Sequence, residues 1–142
     1  MKKLHFNGIH ITSEFLTNLF SFGMAKAVTI FPFVFYRTEI VKQSTITRTH
    51  EIIHIKQQIE MGLAGILCSC LIWLIVHSYV VFLPALFMFY IWYFAFYIVY
   101  WIGYKDRDKA YLENPFEKEA YLNDNFVYYP EMRRWFAWIK YM

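Results

Sequence analysis

Residues 61–104 read MGLAGILCSCLIWLIVHSYVVFLPALFMFYIWYFAFYIVYWIGY, and between Glu60 and Lys105 there is no Asp, Glu, Lys or Arg. About 20 apolar residues carry one helix across the hydrocarbon layer, so a run of roughly twice that length supplies two crossings. Hydropathy dips at His77-Ser78, and Pro84 follows soon after. Proline is tolerated in the first turn of a helix, where its missing N–H has no intrahelical partner to lose, so a second helix beginning near Val81 accommodates it. The stretch predicts a transmembrane helical hairpin, one helix ending at residue 76 and the other over 81–104.

Outward from the hairpin, the composition agrees. Of 142 residues, 58% are hydrophobic, 23% aromatic and 18% charged, against a usual charged share of roughly 25%. This argues against a water-soluble globule and for a mainly α integral membrane protein, one embedded domain over 1–142. Lys and Arg lie on both sides of the hairpin and none lies in its turn. Loops rich in these residues stay in the cytoplasm, which puts both arms on the cytoplasmic face, here of a bacterial inner membrane. No secretory signal is expected, because His5, His10 and Glu14 interrupt the apolar stretch after Lys2-Lys3. The net charge of +3 suits an anionic lipid surface, and without a compact basic stripe no nucleic-acid partner is expected. Cys68 and Cys70 are given neither a disulfide nor a metal. Small residues spaced for helix dimerisation are sparse, which leaves a homodimer open without an obvious interface.

The arms divide by pattern. Residues 14–26 suit an interfacial helix with Phe15, Leu16, Leu19, Phe20 and Phe22 among small polar residues. Residues 27–48 are rich in β-branched and aromatic residues and predict a short β hairpin, with Pro32 placing the strand Thr29 to Tyr36 at an edge. A helix capped by Thr47 or Thr49 then runs through 49–76. In the second arm, over 114–142, Asn114-Pro115 is a helix start, and EMRRWFAWIKYM reads as an interfacial helix with Met132, Trp135, Phe136 and Ile139 on one face.

The sharpest chemical signal is His50-Glu51-Ile52-Ile53-His54. On a helix, residues four apart share a face, so both imidazoles reach one tetrahedral Zn2+ while Glu51 points at the metal's water. The competing interpretation is a polar helix end whose histidines face headgroups. A catalytic zinc needs a third protein ligand, and Phe116-Glu117-Lys118-Glu119-Ala120-Tyr121 is the best source of a carboxylate. Glu117 also suits a capping box begun at Asn114, with Glu113, Glu119 and Asp124 as further candidate ligands. Asp124 or Asn125 falls where it can orient a bound imidazole. Gln57 shares the histidine face and belongs either at the site's edge or on a solvated turn. His77 belongs to the hairpin tip, and His5 and His10 reach the site only if the N-terminus folds back.

HExxH followed by ExxA on a later helix resembles the gluzincins, above all the membrane-embedded metalloproteases of the CaaX-prenyl-protease and heat-shock-protease-X kind. The β-lactam-sensing membrane metalloproteases are similar more loosely. The resemblance covers mainly Thr49 to Gln58 and Asn114 to Asp124. It implies His50, His54 and Glu117 as metal ligands and Glu51 as general base, with Tyr121 standing where that family has Asp.

The expected function is therefore a zinc metallopeptidase acting on a peptide or membrane-protein substrate at the cytoplasmic surface of the bilayer. Tyr121 is a candidate oxyanion donor beside Tyr128 and Tyr129. Hydrolysis of a lipid or lipid-linked amide is the nearest alternative, and a non-catalytic membrane interaction protein the next. A di-iron site needs a second ExxH, and Glu113, Glu117 and Glu119 are not followed by His at that spacing.

Overall fold

The computed structural model describes residues 6–142, so His5 and Lys2-Lys3 lie outside the described residues. The chain is mainly helical with one small sheet: β1 (Ile9–Thr12), α1 (Glu14–Ser21), β2 (Ala27–Ile30), β3 (Phe33–Tyr36), α2 (Glu39–Gln43), α3 (Thr45–Val76), α4 (Leu83–Tyr104), α5 (Arg107–Glu113), α6 (Pro115–Asn123) and α7 (Tyr129–Met132). It packs as two compact units. One comprises the described residues up to Lys56 together with Glu119–Arg134; the other comprises Gln57–Lys118 and Trp135–Met142.

In the first unit the sheet order is β1-β3-β2, with β1 parallel and β2 antiparallel to β3. The hairpin between β2 and β3 turns at a cis Phe31-Pro32 bond. Proline, with no N–H to give a ladder, sits in the turn rather than in an edge strand. Thr29 to Tyr36 is therefore two strands, and β3 is central, with Val34, Phe35 and Tyr36 buried. The expected β-rich segment also overran its real length, because Thr38 caps a short helix, accepting from the Val41 N–H at 3.3 Å. β1 was not expected. Its alternation is short, and its pairing depends on Gly8 at φ +88°, where a Cβ would stand 3.1 Å from Ile55 Cδ1 and 3.2 Å from Val34 Cγ2.

Ser13 caps α1 through the Leu16 N–H at 3.3 Å. The helix stops at Ser21, short of Lys26, because Phe22 and Gly23 turn left-handed at φ 52° and 76° and both amides return to the Asn18 carbonyl. Its outer residues Phe15, Leu19 and Phe22 are exposed. α3 begins at Thr45, a turn before the expected start. The capping contact comes from Ser44, whose Oγ accepts from the Thr47 N–H at 3.4 Å, and Thr49 lies inside the helix, buried.

In the second unit, two helices are long and apolar enough to cross a membrane: Thr45–Val76, which enters from the first unit, and the stretch Tyr79–Tyr104 that includes α4. A 3₁₀ turn over Tyr79–Phe82 precedes α4, and Pro84 occupies its first turn as expected. The break at His77 is a left-handed residue at φ 54°. The helices approach closely at Gly65, where a Cβ would come within 2.9 Å of Ala85 Cα. Outer residues such as Leu67, Leu71, Ile75, Leu86 and Ile102 are exposed. Met61, Phe89, Phe116 and Trp138 form the core.

Trp138 corrects the C-terminal expectation. The stretch is not one amphipathic helix: α7 ends at Met132, Phe136 is left-handed at φ 54°, and a 3₁₀ turn follows over Ala137–Tyr141. Ala137 and Trp138 are buried while Met132 and Trp135 remain exposed. The helical period of the pattern runs across Phe136, whose left-handed backbone breaks the helix.

Candidate metal centre

α3 carries His50, Glu51 and His54 on consecutive turns, all three buried. The two imidazoles meet edge to face, ring centroids 4.8 Å apart, with Nε2 atoms separated by 3.1 Å. Two nitrogens bound to one tetrahedral zinc at ~2.05 Å each stand about 3.3 Å apart. The spacing of this pair therefore fits a shared zinc.

Behind His50, on the ring nitrogen facing away from His54, stands a carboxylate. Asp124 Oδ2 lies 3.5 Å from His50 Nδ1, and Asn125 donates to Asp124 Oδ1 at 3.2 Å. Of the two residues expected near this ring, Asp124 is the one beside it, and Asn125 backs Asp124. A metal-bound histidine normally gives its other N–H to such a partner, which fixes tautomer and ring angle. Tyr121 packs edge-on against the same imidazole, with centroids 4.6 Å apart, and is 44% exposed, so its hydroxyl end remains accessible.

The segment bearing Asp124 is held from both ends. Fully buried Glu119 accepts from Arg133 at both oxygens, Nε to Oε1 at 2.8 Å and Nη2 to Oε2 at 3.1 Å, and from the Tyr129 hydroxyl at 3.0 Å. Two planar groups paired through two bonds fix orientation as well as distance. Glu119 is thereby committed to structure.

Glu117 is buried in the second unit, where its Oε1 accepts from the Tyr93 hydroxyl at 2.8 Å. Asn114 does start α6 as expected, its Oδ1 accepting from the Phe116 N–H at 3.2 Å. The capping box does not close, because the Asn114 N–H goes to the Tyr111 carbonyl. Asn114 also donates to the Tyr93 carbonyl at 3.0 Å, so one residue of α4 is tied to both Asn114 and Glu117. Gln57 is fully buried and donates to the Phe116 carbonyl at 3.0 Å, which removes the solvated-turn interpretation. Glu113 pairs on the surface with Lys118 at 2.5 Å.

Two residues went unnoticed in the sequence. Thr29 on β2 donates to Glu51 Oε2 at 2.6 Å; the signal was a polar residue on the strand's buried face, alternating with Val28 and Ile30. Tyr93 lay hidden in a run of aromatics where nothing separates one hydroxyl from the next. His10 serves the sheet instead, its ring stacked on Tyr36 and its Nδ1 2.7 Å from the Tyr36 hydroxyl. Burial, with the Glu51 charge added, pushes that hydroxyl well above the ordinary tyrosine range, so Tyr36 stays neutral as a hydrogen-bonding group. His77 is exposed at the end of α3, against Trp73. No family model, curated protein or solved structure matches this chain.

Proposed function

We propose that this chain is an integral-membrane zinc metallopeptidase that hydrolyses peptide bonds at the cytoplasmic membrane surface, with zinc held by His50, His54 and Glu117. The observation that carries the proposal is the convergence of the His50 and His54 Nε2 atoms to 3.1 Å with a carboxylate behind His50. It is supported by the donor type of Glu117, a carboxylate buried on α6. Two histidines and a glutamate form a donor set that hydrolytic zinc sites use while keeping a fourth position open. The two long apolar helices, with their outer faces exposed, support the membrane assignment.

A bound zinc supplies a water of pKa about 7 and polarises a carbonyl oxygen. Glu51, one residue on from the first ligand, takes a proton on the carboxylate oxygen not held by Thr29 and returns it to the leaving amine. Asp124 holds the His50 ring in the tautomer that leaves Nε2 free to donate its lone pair. Tyr121, beside His50 and partly exposed, is the donor best placed to meet a developing oxyanion. The outer edge of β2, unpaired within the sheet, offers main-chain groups to an extended substrate.

Elemental analysis of detergent-purified protein tests the proposal. Wild type is expected to carry about one zinc per chain, with loss or weakening in both His54→Ala and Glu117→Ala. Glu51→Gln is expected to keep zinc and lose cleavage of a mixed fluorogenic peptide library. Wild type that takes up no zinc in chelator-free buffer would leave a non-catalytic membrane protein.

A further inference from the structure

The bond between Thr29 and Glu51 joins an edge strand to the middle of the motif. Thr29 is buried on β2, and its hydroxyl lies 2.6 Å from Glu51 Oε2 and 3.3 Å from the Glu51 carbonyl oxygen. A hydroxyl has one proton, and the shorter contact is in the range of a charge-assisted O–H···O⁻ bond. Among the described residues no hydrogen bond is made to Glu51 Oε1. One oxygen of the carboxylate is thus tied to the sheet and the other left to act. A carboxylate free to rotate about its side-chain torsions would spend much of its time out of line, and misplacement by 1 Å can cost about 100-fold in rate.

We propose that Thr29 is the positioning residue for Glu51: its hydroxyl fixes the carboxylate so that Oε1 faces the proton to be moved. This rests on the zinc-hydrolase function proposed above. In this role Thr29 acts through Glu51. The strand that offers its edge to substrate is also the strand that aims the base.

The test uses full-length protein in detergent and four variants: Thr29→Val, which removes the hydroxyl at nearly constant shape, Thr29→Ser, which keeps it, Glu51→Gln, and Thr29→Val combined with Glu51→Gln. Zinc per chain is measured first, then binding of acetohydroxamate, a zinc-directed probe whose hydroxyl proton passes to a neighbouring carboxylate, and then kcat and KM on the peptide library. Thr29→Val is expected to keep its zinc, to bind the probe about tenfold more weakly and to lose 10- to 100-fold in kcat with KM within about twofold. Thr29→Ser is expected to restore both, and Thr29→Val is expected to add nothing in the Glu51→Gln background. A Thr29→Val loss that persists undiminished in Glu51→Gln, a Thr29→Ser that fails equally, or loss of zinc from Thr29→Val would make the residue structural and overturn the proposal. Wild type that binds neither zinc nor probe would instead overturn the zinc-hydrolase function itself, and with it Thr29's role.

Discussion

Asp124 and His50 show how much of the site depends on single contacts. The carboxylate lies 3.5 Å from Nδ1, backed by Asn125, and losing such a partner typically costs 10- to 100-fold in metal affinity. Asp124→Asn is expected to weaken zinc binding by that amount in a chelator competition; unchanged affinity would remove Asp124 from the site. His10 supplies a second prediction at this scale. Burial, helped by the Arg48 and Lys42 charges and opposed by the bond to the Asn7 carbonyl, holds His10 below its ordinary pKa of 6.5. The unfolded chain therefore takes up the proton first as pH falls through 6.5, so His10's share of stability is present above that pH and is lost below it. Thermal unfolding in detergent at pH 7.5 and 5.5 is expected to show a smaller acid-side loss for His10→Gln than for wild type, and equal losses would refute the assignment. At this scale the sequence was most legible where spacing alone sets geometry. His50, Glu51 and His54 share a helix by period, and Asp124 is legible by its distance from Glu117, although it falls in the turn just after α6. Thr29 and Tyr93 were not legible, because their importance comes from partners that only folding brings near.

Among elements, the crossing of α3 and α4 depends on one absent side chain. At Gly65 a Cβ would meet Ala85 Cα at 2.9 Å, backbone against backbone, and no rotamer relieves that. Gly65→Val is expected to lower stability by ~1–3 kcal/mol, read as an earlier thermal transition in detergent, whereas the same change at Gly62, where nothing lies within 4 Å of a new Cβ, is expected to be mild. Element boundaries followed the local chemistry more closely than the hydrophobic pattern. Asn114-Pro115 and Pro84 marked their helices correctly because capping and proline geometry are local. The sheet is less legible: a parallel pair such as β1 with β3 is closed by a crossover, and neither partner carries the signal alone. The C-terminal segment failed because a left-handed phenylalanine has no composition cue.

For the molecule as a whole, the exposed apolar faces of α3 and α4 make a testable statement about surroundings. Cys68 and Cys70 are both exposed on α3, within the apolar run. In sealed vesicles they are expected to resist a membrane-impermeant maleimide and to react after detergent is added, with the protein remaining in the pellet after alkaline carbonate extraction. Prompt labelling without detergent would place α3 in water. Two long apolar helices are legible in the sequence because no charged residue interrupts the run from 61 to 104.

The buried pair of Glu119 and Arg133 carries one more consequence. It closes the chain between them into a loop without a covalent link, and Tyr129 adds a second knot to the same carboxylate. The conformational entropy of that loop is spent when the protein folds, so Asp124 and Asn125, which ride on it, are in place before any metal arrives. If zinc binds as proposed, the histidine pair meets it with its supporting carboxylate already set, and the affinity depends partly on a charge pair remote from the ion.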